Sequence, residues 1–217
     1  MAGRYITFEG GEGAGKSSQI RRLAARLTAA GKSVTSTREP GGTPGAEAIR
    51  RVLLSGLAQP LGPEVEAILF AAARADHVER LIRPALANGE WVLSDRFADS
   101  THVYQGAGGA VDETFLDTLD RVTIGGTRPD LTFILDIAPN EGLARVAGRL
   151  AGANGGNPDR FESDALAVHE RRRQAYLDIA ARDPGRCVVI DASQPEEAVA
   201  DSIWLTVRAR LLDRTAA

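Results

Sequence analysis

The stretch Tyr5-Ile6-Thr7-Phe8-Glu9-Gly10-Gly11-Glu12-Gly13-Ala14-Gly15-Lys16-Ser17 decides how this chain folds. Its first five residues form a short, mostly apolar run of strand length. The next eight fit the pattern G-x-x-x-x-G-K-[ST], and a helical pattern opens at Lys16. Glycines let the backbone wrap closely, so that successive N–H groups point inward at phosphate oxygens, and the helix N-terminus adds the positive end of its dipole. A lysine at position 16 reaches the β- and γ-phosphates of a nucleotide, and a serine at 17 offers its hydroxyl to Mg²⁺. Gly10, Gly11, Glu12, Gly13, Ala14, Gly15, Lys16, Ser17 and Ser18 are therefore candidates for a nucleoside triphosphate site.

Working outward, apolar strand-length runs recur at Tyr5–Glu9, Ser33–Arg38, Trp91–Asp95, Leu131–Asp136 and Cys187–Asp191. Helical patterns fill the intervals at about Lys16–Ala30, Gly45–Leu54, Pro63–Ala87, Asp112–Ile124, Pro139–Leu150, Asp164–Arg182 and Pro195–Leu212. Short strands that lack polar alternation are those buried on both faces. Their alternation with helices predicts right-handed βαβ units, a five-stranded parallel sheet between helical layers, and ligands at the carboxyl ends of the strands. Pro139 and Pro195 suit first helical turns, and Pro84 predicts a kink or break. Three clusters fall at the strand ends: Glu9–Ser17, Arg38–Thr43 and Asp95–Gly106.

The chain has 217 residues, 43% hydrophobic and 25% charged, which fits one domain spanning 1–217. A net charge of −3 argues against a protein that coats nucleic acid. No apolar run reaches the ~18 residues of a membrane span, and no secretory leader opens the sequence, so a cytoplasmic protein is expected. The lone Cys187 excludes an intrachain disulfide framework. Of the 26 basic residues only Lys16 and Lys32 are lysine; the rest are arginine.

A phosphate loop establishes a nucleotide site and not a reaction. No Asn-Lys-x-Asp reads guanine, and no His-Arg-Asp catalytic loop is present. A small kinase, a plain ATPase and a nucleotide-dependent switch all remain open at this point. Asp95 ends an apolar run in the manner of a Mg²⁺-organising carboxylate, and Glu9 sits at the equivalent end of the first strand. Arg38 and Arg96 also follow strands, and two guanidinium forks suit a dianionic phosphate acceptor. His77, His102 and His169 fit no triad or metal spacing and read as structural or exposed.

Six motifs in order then carry a resemblance: FEGGEGAGKSS (Phe8–Ser18), TREPGGT (Thr37–Thr43), LFAAARADH (Leu69–His77), SDRFADSTHVYQG (Ser94–Gly106), DRFE (Asp159–Glu162) and IDASQPEEAV (Ile190–Val199). The chain resembles, nearly end to end, the bacterial-type thymidylate kinases of the nucleoside monophosphate kinase group. The resemblance implies a three-layer α/β P-loop kinase with a lid, which transfers the γ-phosphate of ATP to dTMP in dTTP biosynthesis. It implies Mg²⁺ as cofactor, ATP and dTMP as small-molecule partners, no nucleic acid, no membrane and a homodimer through apolar helices, with Pro63–Ala87 and Asp112–Ile124 as candidates.

The resemblance also implies residue roles. Glu9 and Asp95 hold Mg²⁺ or orient the acceptor phosphate, with the division left open. Arg38 and Arg96 grip that phosphate. Phe70 stacks on thymine and Arg74 bonds its O4; the two share a helical face. Ser100, Thr101, Tyr104 and Gln105 contact base and sugar, with Tyr104 beneath the deoxyribose where a 2′-hydroxyl would clash. Glu162 supports the acceptor side. Arg145 packs on adenine, beside Ser193 and Gln194. The lid, about 145–162, contains the Gly-rich run AGANGGNP at 151–158, which is expected to be non-helical. The phosphate loop carries Glu12 where some relatives have arginine. The lid is therefore expected to supply the extra positive charge, through Arg149 with Arg160 behind it.

Overall fold

A computed structural model describes residues 3–107, 111–152, 161 and 164–213. Five strands, β1 (Arg4–Glu9), β2 (Val34–Arg38), β3 (Trp91–Asp95), β4 (Leu131–Asp136) and β5 (Cys187–Asp191), form one sheet in the order β2-β3-β1-β4-β5, every pair parallel. The helices are α1 (Lys16–Ala29), α2 (Pro44–Leu54), α3 (Pro63–His77), α4 (Arg83–Ala87), α5 (Ala98–Thr101), α6 (Glu113–Thr123), α7 (Pro139–Gly152), α8 (Leu166–Arg182) and α9 (Glu196–Val207).

The strand sequences explain the layering. Successive side chains leave a strand on opposite faces. Ile6 and Phe8, Trp91 and Leu93, and Leu131, Phe133 and Leu135 therefore join one core with Ile20, Leu23 and Leu27 of α1 and Val199, Ile203 and Val207 of α9. Tyr5 and Val92 point the other way, into a core with Val78, Ile82, Ala85 and Phe97. Ile134 meets Tyr176 and Ile179 of α8. Register pairs Phe8 with Asp95 and Arg38 with Asp95, so three strands end at one edge. No helix among the described residues is long and apolar enough to cross a membrane.

The architecture follows the sequence pattern, with local differences. Pro84 does not break its helix: α3 passes through a π-helical turn, Val78–Ile82, into α4, where Pro84 occupies the first turn. There the proline's missing N–H is least costly. Pro195 stands one residue before α9, as its cap, and not inside the first turn. Ala151 and Gly152 still belong to α7, so the expected lid loop begins later than read; 153–160 and 162–163 lie outside the described residues. The segment after β3 forms α5 and a π-helical turn, His102–Ala107, which no apolar periodicity announced.

Candidate active site

The phosphate loop runs from the end of β1 into α1. Gly13 has a φ of 70°, and a Cβ there would lie 2.0 Å from the carbonyl oxygen of Gly142, so only glycine fits. The Lys16 ammonium donates to the carbonyl oxygens of Gly10 and Gly11 at 3.0 and 2.9 Å, which folds it over the loop mouth. Burial, with Arg96 adding to it, lowers its pKa. Ser17 donates its hydroxyl proton to Asp95 Oδ2 at 2.7 Å.

Two acidic residues that looked interchangeable in the sequence have separate surroundings. Asp95 sits beside Ser17 at the phosphate-loop helix. Glu9 is fully buried and accepts from the Phe97 amide (2.7 Å), the Ser100 hydroxyl (2.6 Å) and the Tyr176 hydroxyl (3.2 Å). Its carboxylate is thus committed to the segment after β3, away from the Ser17 hydroxyl. Burial, then the charge of Asp99, pushes its pKa to about 7, against the pull of Arg96, Ser100 and the Phe97 amide.

Arg96 stands between the two halves of the site. It is the one non-glycine residue with positive φ (68°) among the described residues, held there by a bond from its N–H to the Phe8 carbonyl and one from the Ser94 hydroxyl to its own carbonyl. Such a conformation costs about 1–3 kcal/mol and persists where the surroundings over-determine it. Its guanidinium donates to Glu12 Oε1 (2.7 Å), Tyr104 Oη (2.9 Å), Tyr176 Oη (2.9 Å) and Ser100 Oγ (3.2 Å). Glu12 also accepts from the Tyr104 hydroxyl at 2.6 Å. Burial alone would raise the Glu12 pKa, but Arg96 and Lys16 hold it down at about 2.

Beyond Arg96 opens a cleft lined by Phe70, Arg74, Phe97, Ser100, Thr101, Tyr104 and Gln105, with Glu39, Pro40, Arg50, Leu54 and Phe161 completing it. Phe70, on α3, thus faces a cavity with its aromatic ring only partly buried. Arg74 is 2% exposed and tightly held: Nε donates to Glu39 (2.9 Å), Nη2 to the Phe97 carbonyl (3.4 Å) and Thr101 (2.7 Å), Nη1 to Asp120 (3.2 Å). His77 and His102 extend this network, binding Glu39 and Asp120, and His169 is buried, which agrees with structural roles for all three.

On the opposite side of the loop lies a second cleft, lined by Gly13, Gly15, Ser18, Arg145, Ser193 and Gln194. Arg145 donates to the Ala192 carbonyl at 3.0 Å, and Asp191 accepts from Ser193 and Gln194, which orders the loop after β5. Arg149 stands exposed one turn further along α7. Arg160 and Glu162 lie outside the described residues.

Arg38 is turned away from the first cleft: it is half exposed and pairs with Glu47 at 2.7 Å, while its neighbour Glu39 and Arg50 line that cleft. Sequence reading missed Tyr176 and Arg172. Their signal was present, since His169, Arg172 and Tyr176 repeat at i, i+3 and i+7, a stripe of polar groups on the face of α8 that packs inward.

A parallel sheet with a phosphate loop at the carboxyl end of its central strand, a serine–carboxylate pair at the loop's helix, an arginine-lined cleft beyond the loop and a second cleft along it define a P-loop kinase of the nucleoside monophosphate type. A thymidylate kinase family model matches residues 8–203. "Thymidylate kinase" of Rhodopseudomonas palustris (strain ATCC BAA-98 / CGA009) is 58% identical over 214 residues, 98% of this chain and 92% of that protein. "Thymidylate kinase" of Bradyrhizobium diazoefficiens is 54% identical over 210 residues, 97% of this chain and 91% of its own. A crystal structure of thymidylate kinase from Ehrlichia chaffeensis superposes with a TM-score of 0.76 at 31% identity, covering 95% of this chain and all of that one. The chain belongs to the thymidylate kinase family, whose reaction is the phosphorylation of dTMP to dTDP.

Proposed function

We propose that this chain moves the γ-phosphoryl group of ATP directly onto the 5′-phosphate of dTMP, with the two nucleotides in the two clefts and their phosphates meeting between Lys16 and Arg96. The observation that carries this reading is the position of Arg96, which joins Glu12 of the phosphate loop to Tyr104 and Ser100 of the acceptor cleft. Phosphoryl transfer asks a protein mainly for positioning and for positive charge around the equatorial oxygens.

On the donor side, the loop amides and Lys16 cradle the phosphates, and Arg145, Ser193 and Gln194 border adenine. Ser17 and Asp95 supply the hard oxygen donors that Mg²⁺ takes alongside substrate phosphates; they fit the ion, whereas Glu9, with its oxygens occupied, fits the acceptor side. When bound, Mg²⁺ neutralises charge building on the transferred group. On the acceptor side, Arg96 binds the dTMP phosphate, Phe70 stacks on thymine, and Arg74 with Thr101 and Gln105 faces the polar edge of the base. Ser100 and Glu9 fix the segment that carries Arg96, and Tyr104 lines the sugar position. Arg38 joins the clamp once it leaves Glu47. Arg149 supplies transition-state charge from α7. No covalent enzyme intermediate enters this route; Cys187 is buried in the core beside α8, its thiol pushed up to about 12 by burial.

The exposed apolar residues Ile68 on α3 and Val122 on α6 support a homodimer through these faces. A cytoplasmic site of action belongs to the same reading. The test is a panel: ATP–Mg²⁺ with dTMP, dUMP, dCMP, dGMP, UMP or thymidine, following ADP release. Rapid turnover with dTMP is expected. Preferred turnover of thymidine, or hydrolysis independent of any acceptor, would overturn the reading.

A further inference from the structure

Helix α8 carries one charged group that the mechanism above leaves unused. Arg172 is 6% exposed. Its Nη2 donates to Asp164 at 2.6 Å, but Nε and Nη1 have no hydrogen-bond partner among the described residues. Unpaired guanidinium nitrogens inside a protein are costly, and their retention asks for a reason.

The surroundings supply one. The Arg172 guanidinium carbon lies 4.3 Å from the centroid of the Tyr104 ring, and that of Arg96 lies 4.9 Å from the same centroid. The Tyr104 hydroxyl donates to Glu12 Oε1, the oxygen that also accepts from Arg96. Two arginines thus share one aromatic ring beside one carboxylate, and only Arg96 is bonded to it. Glu12, Tyr104 and Arg172 line a common cavity behind the phosphate loop.

This arrangement creates a difficulty for substrate binding that rests on the proposed role of Arg96 as the phosphate clamp. Both terminal nitrogens of Arg96 are engaged by protein, one of them by a carboxylate. A dianionic phosphate taking that nitrogen displaces Glu12 and faces its negative charge. A largely buried carboxylate stripped of its partner is strongly destabilising.

We propose that Arg172 is a positioning residue that receives Glu12 when the acceptor phosphate takes Arg96. Its unpaired nitrogens hold the displaced carboxylate, so that Arg96 turns to the phosphate while Glu12 stays neutralised. The cost of an unsatisfied guanidinium in the empty enzyme is recovered in the dTMP complex.

The test is a double-mutant cycle on dTMP affinity, measured by calorimetry, with Arg172→Met and Glu12→Gln. Arg172→Met is expected to weaken dTMP binding about 10- to 100-fold and to leave ATP binding within about threefold, with Arg172→Lys recovering part of the loss. In the Glu12→Gln background the same change is expected to alter dTMP affinity by less than about threefold, because no displaced charge remains to be held. The melting temperature of the empty Arg172→Met enzyme is expected to stay close to that of the wild type, because removal of the unpaired buried nitrogens offsets loss of the Asp164 bond and the Tyr104 ring contact. Equal losses in both backgrounds, or a melting temperature that falls along with dTMP affinity, would overturn the exchange and leave a structural role. Arg96→Ala is measured in parallel: unchanged dTMP affinity in that variant rejects the clamp itself, separately from the outcome of the cycle.

Discussion

The Ser17 hydroxyl and Asp95 Oδ2 meet at 2.7 Å, tying the first turn of α1 to the end of β3. On the proposed function, two oxygens of this kind at the phosphate-loop helix would form part of a coordination sphere that substrate phosphates and water complete. Ser17→Ala and Asp95→Asn should each raise the Mg²⁺ concentration needed for half-maximal turnover by about tenfold or more. A Mg²⁺ titration at saturating ATP and dTMP checks this, and an unchanged midpoint in both variants removes the pair from metal binding.

Phe70 and Arg74 are four residues apart on α3 and should fail in different ways. Arg74 bridges the buried Glu39 to Asp120, so Arg74→Ala leaves uncompensated charge and should cost about 3–5 kcal/mol of stability. Phe70 lines the cleft with its ring partly accessible. Phe70→Ala should raise KM for dTMP about tenfold, about 1.4 kcal/mol, with little change in melting temperature. Thermal melts alongside steady-state kinetics separate the two; equal destabilisation by both variants would make Phe70 a core residue.

Arg149 is exposed on the last turn of α7, so its removal should spare the fold. Arg149→Ala should lower kcat by roughly 10³-fold or more if this arginine stabilises the transferring group. A loss of less than tenfold in single-turnover experiments would assign that charge to another arginine.

The Glu9 carboxyl is pushed from 4.5 up to about 7 by burial and by Asp99. A carboxylate raised on folding favours the protonated native state, so its contribution to stability is complete below pH 4.5 and is lost as pH rises through 7. Ionised Glu9 accepts the Phe97 and Ser100 bonds that fix the Arg96 segment. The log of kcat/KM for dTMP should therefore bend near pH 7, with the limb rising toward alkaline pH, and Glu9→Gln should remove that bend. A profile with the same bend in Glu9→Gln would place the ionisation on another group.

The parts of the site legible in the sequence are those set by local covalent spacing. Lys16 and Ser17 had to lie at a helix start because glycines precede them, whereas Arg145, Ser193 and Gln194 were named through the family resemblance alone. Arg96 was legible as a cation at a strand terminus, but its bond to Glu12 was not, because it joins positions 84 residues apart. Glu9 and Asp95 looked equivalent at adjacent strand ends; the bonds from Phe97, Ser100 and Tyr176 to one and from Ser17 to the other distinguish them. Arg172 and Tyr176 stayed hidden because α8 carries charge on several faces, which masks a buried polar stripe. Arg38 was expected to turn inward with Arg96, yet Glu47 on α2 offers it a nearer partner.

The contact of Gly13 with Gly142 has a mechanical consequence. Backbone meets backbone there, so the first turn of α7 rests directly on the phosphate loop. Residue 142 is thereby an anchor point of the helix. At 1.5 Å per residue, Arg149 lies about 10 Å along the helix from that contact. The placement of the arginine is thus tied to the backbone of the loop, and a methyl group at position 13 would press the two apart whatever the loop holds.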